Sequence, residues 1–200
     1  MIRSFAVLAC LALASPSLAA CPDPAALDGD GIVMAFDDGG VGVLRRQPDN
    51  LVREDNIYQL PGEDFYHSVG IYERGLIPVV EFELNEAGET LSESVYTTTY
   101  ASDPLAAFDL APGESLTVDF AEEGPASDTG TLTILRGEDA PFVLGDCETP
   151  AIAFTFKKTH SDGSWIQPEF AYLTDYGVAI FMRSTFDDGS TMEFAPVSWN

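Results

Sequence analysis

Basic residues are scarce in this chain: 9 Lys plus Arg stand against 33 Asp plus Glu in 200 residues, a formal charge of −24. A surface this acidic repels nucleic-acid phosphates and anionic lipid headgroups, which excludes binding through a basic patch. Histidine stops at two and cysteine at three. His67 and His160 have no neighbours spaced as a zinc site requires, so no transition-metal cofactor is expected. Helical periodicity is missing from every window of a dozen residues. No segment is long and apolar enough to span a bilayer as a permanent helix. Disorder is excluded as well, because hydrophobic residues make up 46% of the chain and aromatics 11%.

The first twenty residues read as a secretory signal. Arg3 supplies the positive start, an apolar run extends from Phe5 to Ala14, and Pro16 breaks it before small residues lead up to Cys21. The mature part is then 21–200, and the expected location is periplasmic or secreted. Leu18-Ala19-Ala20-Cys21 also looks like a lipoprotein box, with Cys21 as an alternative lipid anchor. Cysteine parity favours a different fate. Cys10 leaves with the signal, and an even pair in an oxidising compartment, Cys21 and Cys147, is most simply one disulfide.

Almost every segment of the mature chain reads as a strand. Val80, Phe82 and Leu84 alternate with polar residues, as do Leu116, Val118 and Phe120. Ile152, Phe154 and Phe156 repeat the pattern, and Val178, Ile180 and Met182 do so with Phe181 hinting at burial on both faces. These apolar rows are expected on one shared inner surface. Residues 95–100 are rich in strand formers. Asp38-Gly39, Asp162-Gly163 and Asp188-Gly189 sit between strand-like runs, and Asp-Gly favours tight hairpins. The fold class is therefore all-β: antiparallel, hairpin-linked strands forming a curled half-barrel, a barrel or a sandwich. Residues 102–114, with two prolines, could link two halves. Leu105, Phe108 and Leu110 are too apolar for a solvated linker, so one domain is expected. The phrase Phe-Asp-Asp-Gly at 36–39 and 186–189 is hairpin chemistry rather than a duplication.

Candidate chemistry is sparse. Asp28-Gly29-Asp30-Gly31 starts like a calcium loop, but Ile32 falls where an oxygen ligand is needed, leaving a polar lead-in to a strand. His160, Ser161 and Asp162 have the residue types of a hydrolytic triad, yet neighbours on one hairpin cannot form the relay. Glu81 and Glu83 share one strand face and read as a solvated row. Tyr58, Phe65, Tyr66, Tyr72, Tyr96, Tyr100, Trp165, Phe170, Tyr172 and Tyr176 could stack on sugar rings or line a pocket for an apolar ligand, or pack in the core.

The stretch Tyr172-Leu173-Thr174-Asp175-Tyr176-Gly177-Val178 precedes a strand, an Asp-Gly turn and a final strand. It resembles the C-terminal hairpin of small exported bacterial β-proteins, lipoprotein-carrier-like half-barrels among them. That resemblance implies a concave sheet able to hold acyl chains and transfers no binding residue. The expected function is a non-enzymatic exported β-protein binding a small apolar ligand or a partner protein in the cell envelope. No catalytic, cofactor-binding or metal residue is nominated. Two other readings stay open: a hydrolase of an envelope polymer acting through unidentified carboxylates, and an acidic structural or adhesion module with weak divalent-cation binding. A concave apolar cavity favours the first reading, an open cleft with facing carboxylates the second, and a pocketless sandwich the third.

Overall fold

The computed structural model describes residues 21–58, 65–194 and 196–200. The expected leader, 1–20, lies outside them. The first strands are Ile32–Phe36 (β1), Val41–Arg46 (β2), Leu51–Tyr58 (β3), Tyr66–Glu73 (β4), Ile77–Glu83 (β5) and Tyr96–Tyr100 (β6). Ser115–Glu123 (β7), Asp128–Leu144 (β8), Cys147–His160 (β9) and Trp165–Leu173 (β10) follow. Val178–Phe186 (β11), Thr191–Glu193 (β12) and Pro196–Trp199 (β13) complete one antiparallel sheet.

From β1 to β12 each strand pairs with the next, and β13 then returns to pair with β1. The two sheet edges are thus β12 and β13, which are consecutive in the chain. Glu193 and Pro196 are three positions apart, a distance the backbone covers with about 10 Å at most. That short link draws the edges together and curls the sheet on itself, which selects the curled architecture over the sandwich. The Phe194 N–H donates to the Met182 carbonyl on one side of the seam, and Asn200 and Val33 exchange two bonds on the other.

The three Asp-Gly turns all form hairpins. In each, the glycine N–H donates to a carbonyl three residues back, and its φ lies between 81° and 90°. This is a type I turn closed by a left-handed residue, where glycine carries no steric cost. The preceding Asp accepts a bond from the backbone N–H two residues on, at Gly40, Ser164 and Ser190. Both copies of Phe-Asp-Asp-Gly are turns of this kind. Cys21 and Cys147 are joined across 126 positions, with Cα atoms 4.8 Å apart. Closing a loop of that length stabilises by about 4 to 5 kcal/mol in the chain-entropy account.

Val118, Phe120, Phe154 and Phe156 face the interior as expected, with Phe154 only 1% exposed. Burying a side chain of that size contributes roughly 2 to 3 kcal/mol. The stretch 102–114 is no linker: Pro104–Asp109 makes a short 3-10 turn whose Phe108 ring packs edge-on against Phe154 and Tyr172. The start of β11, Val178–Ile180, is buried on both faces, while Phe181 is half-buried and Arg183 exposed. The row expected at 80–84 is reversed. Glu81 points into the curl, and by strand alternation Val80 and Phe82 face outward. Outside, Phe82 pairs with Val69, which is 1% exposed, so a small apolar layer covers this part of the outer face.

Candidate functional site

The curl encloses a cavity of about 550 Å³. Strand register builds its first wall. Glu54, Asn56 and Tyr58 of β3 stand opposite Gly70, Ser68 and Tyr66 of β4, and Glu81 of β5 pairs with Gly70 from the other side. Gly70 therefore separates two inward carboxylates, whose strands lie about 9 to 10 Å apart across the sheet. A side chain at Gly70 would collide with the Tyr72 ring, which lies over it. Thr98 and Tyr100 of β6 extend this polar wall.

The second wall is apolar. Phe156, Ile166 and Phe170 come from β9 and β10, and Phe181 and Phe186 from β11. Met192 and Phe194 close it at the seam, where Phe194 meets Phe181, Phe36 and Tyr58. Ser184 interrupts this wall. The residue is 2% exposed, and its hydroxyl has no partner among the described residues.

Charge inside the cavity is mostly negative. Glu54, Glu81 and Glu122 line it with Lys158 as the cation. The Lys158 ammonium donates to Glu122 at 2.5 Å and lies 5.0 Å above the Phe120 ring, and Thr98 also donates to Glu122. Burial pushes the Glu54 carboxyl up to about 7, and the nearby Glu81 and Asp55 charges add to this against the Asn56 amide and Tyr72 hydroxyl. Burial likewise raises Glu81, with Lys158 opposing and Glu122 adding. Glu81 is nonetheless an exposed residue, lining both the cavity and the groove beside it.

Access runs past Glu81. β5 and β6 pair at two positions, Val80 with Thr97 and Glu81 with Tyr96. Beyond them the strands part, leaving a groove lined by Glu83, Glu93, Ser94 and Tyr96. The groove shares Tyr66, Ser68, Tyr72 and Glu81 with the cavity, so the two are continuous.

The residues singled out from sequence are scattered by the fold. Asp28 is held by Arg46 at 2.7 Å, which occupies its carboxylate in a salt bridge. His67 faces outward and bonds to Asp55 at 2.9 Å, where Arg53 and Arg45 also converge. His160 and Ser161 both bond to Asp128, so the carboxylate sits between them and no serine-to-histidine relay forms. Asp162 bonds to Ser164 instead. Among the described residues no three His, Cys, Asp or Glu side chains gather as a metal-holding group. Among them also, no helix is long and apolar enough to cross a membrane.

Glu81 is exposed, as a solvated row implies, but the side it is exposed on is that of the cavity. No sequence motif singles out Glu54, Glu122 or Lys158. Their one signal was that β3 and β7 carry acids on both faces, which a sheet with a single wet side does not require.

No family model matches the chain, and no curated protein matches it. A solved structure, the crystal structure of the hypothetical lipoprotein YmcC from Escherichia coli, is similar over 84% of this chain and 87% of that chain. The identity is 14% and the TM-score 0.47. At those values neither fold nor role carries over.

Proposed function

We propose that this chain is an exported, non-enzymatic protein that holds a small, largely apolar molecule inside its curled sheet. The observation that carries this reading is the cavity of about 550 Å³ with an aromatic wall. That volume falls within the range of small-molecule sites, and its lining, mostly apolar with a few polar groups, has their composition. The leader-like segment and the Cys21–Cys147 bridge support an oxidising compartment outside the cytoplasm. A hydrolase is less well supported. Glu54 and Glu81 stand side by side on one wall, whereas carboxylate hydrolysis of a glycosidic bond needs them on opposite sides of the bond.

Binding of N-phenyl-naphthylamine, a neutral probe whose fluorescence rises in apolar surroundings, tests the proposal. Protein purified from the periplasm should give saturable enhancement at one site. Ser68→Trp places an indole in the cavity and should abolish it while circular dichroism stays unchanged. No enhancement, or equal enhancement with Ser68→Trp, would overturn the reading.

A further inference from the structure

We infer that the ligand is an organic cation: an ammonium head over Tyr72, whose ring lies between Glu54 and Glu81, with its apolar body against the phenylalanine wall. The inference rests on the ligand-binding reading above and specifies its chemistry.

Three independent features point to it. The first is charge. Glu54, Glu81 and Glu122 face a single lysine, and Lys158 is already committed to Glu122. An anionic ligand would meet two unneutralised carboxylates and find no free cation among the described lining residues. An ammonium over the Tyr72 ring, flanked by Glu54 and Glu81, relieves their mutual repulsion. Tyr58, Tyr66 and Tyr72 stand on the same wall and offer ring faces to a cation as well.

The second is the route. Glu83 and Glu93 line the groove that leads to Glu81, so the carboxylates continue from the entrance inward. Such a channel between low-dielectric walls concentrates cations and repels anions.

The third is the opposite wall. A sugar would also accept carboxylate partners, but its hydroxyls would lie against Phe156, Phe170, Phe181 and Phe186 without acceptors. A hydrocarbon or aromatic body loses nothing there. Ser184 is the exception on this wall, a hydroxyl 2% exposed with no partner among the described residues. That oxygen has no accessible surface, so it is sealed behind the wall and an occupant does not reach it. The ligand that fits is therefore cationic at one end and apolar along its length.

Displacement of bound N-phenyl-naphthylamine by three chain-matched probes tests the inference: decyltrimethylammonium, decanol and decanoate. The cation should displace the probe at about a tenfold lower concentration than decanol, with decanoate weakest. In the Glu54→Gln/Glu81→Gln protein the probe should still bind and the preference should vanish. Glu81→Gln alone should reduce it, at a side chain that makes no hydrogen bond among the described residues, so the fold bears no cost. Equal displacement by all three probes would overturn the cation assignment and leave the cavity reading standing. A preference that survives the double substitution would trace to overall surface charge and would overturn the assignment too. Displacement by millimolar glucose but not by decyltrimethylammonium would replace it with a sugar site. Failure of the naphthylamine to bind at all would overturn the cavity reading and this one with it.

Discussion

Glu54 and Asp55 are neighbours on one strand and live in opposite electrostatic worlds. Asp55 faces outward, is 4% exposed, and receives Arg53 at 2.6 Å, His67 at 2.9 Å and Arg45 at 3.3 Å. Burial alone would raise its carboxyl, but the hydrogen bonds from Arg53 and His67 outweigh burial and hold it below the usual range. Glu54 faces inward, where no cation meets it, and burial drives it up to about 7. The outer face resolves its buried charge within the protein. The inner face meets its carboxyl with the Asn56 amide and the Tyr72 hydroxyl and with no cation among the described residues, which is the charge the proposed ligand would supply.

The largest expected effect lies on the resolved side. Asp55→Ala strands two guanidiniums and an imidazole around an emptied site. Arg45 and Arg53 are 39% and 32% exposed and can regain water, which moderates the loss. The substitution should destabilise by about 2 to 3 kcal/mol in urea unfolding at neutral pH. A loss below about 1 kcal/mol would show that the network is surface decoration rather than a fully paired charge.

Period-two patterning made the all-β class, the hairpin turns and the buried rows around Val118, Phe154 and Ile180 legible before any coordinates. Around Val118 and Phe154 one face is apolar and the alternation names it, whereas at Val178–Ile180 both faces are buried. The site was not legible for the same reason. In β3 the residues at 53, 54 and 55 are all charged, so alternation cannot say which face is wet. In β5 the apolar residues Val80 and Phe82 mark a face, but it packs outward over Val69, and the carboxylates take the interior. A curled sheet with a hollow centre inverts the usual rule locally. Its inner surface need not be apolar wherever it faces a cavity instead of a packed partner. The cysteines were readable because parity in the mature chain leaves one pairing.

Glu54→Gln should act in the opposite direction to Asp55→Ala. The folded carboxyl titrates at about 7 against an ordinary 4.5, so the folded state binds the proton more tightly than the unfolded state. Its contribution to stability is fully present below about 4.5 and is lost as the pH rises through about 7. The full loss is about 3 kcal/mol at most. Asp55 runs the other way: its contribution is present above the ordinary 3.8 and fades as the pH falls through its lowered value. Glu54→Gln should therefore match the parent near pH 4.5 and exceed it by about 1 to 2 kcal/mol at pH 8. Parallel stability profiles for parent and variant between pH 4.5 and 8 would mean that Glu54 is solvated and not enclosed.

The smallest effect sharpens the same contrast with two serines. Ser94, beside the groove, is satisfied twice: its hydroxyl donates to the Leu91 carbonyl and accepts from the Glu83 N–H, each at 2.8 Å. Ser184 has neither bond, though it is the more deeply buried. Removing a bonded hydroxyl loses its bonds and orphans the groups left behind, whereas removing an orphan loses nothing but its desolvation penalty. Ser94→Ala should cost about 1 kcal/mol, and Ser184→Ala should be neutral or stabilising by up to about 1 kcal/mol. Paired urea curves at pH 7 give both signs in one experiment. A Ser184→Ala protein destabilised as much as Ser94→Ala would show that the Ser184 hydroxyl has a partner after all.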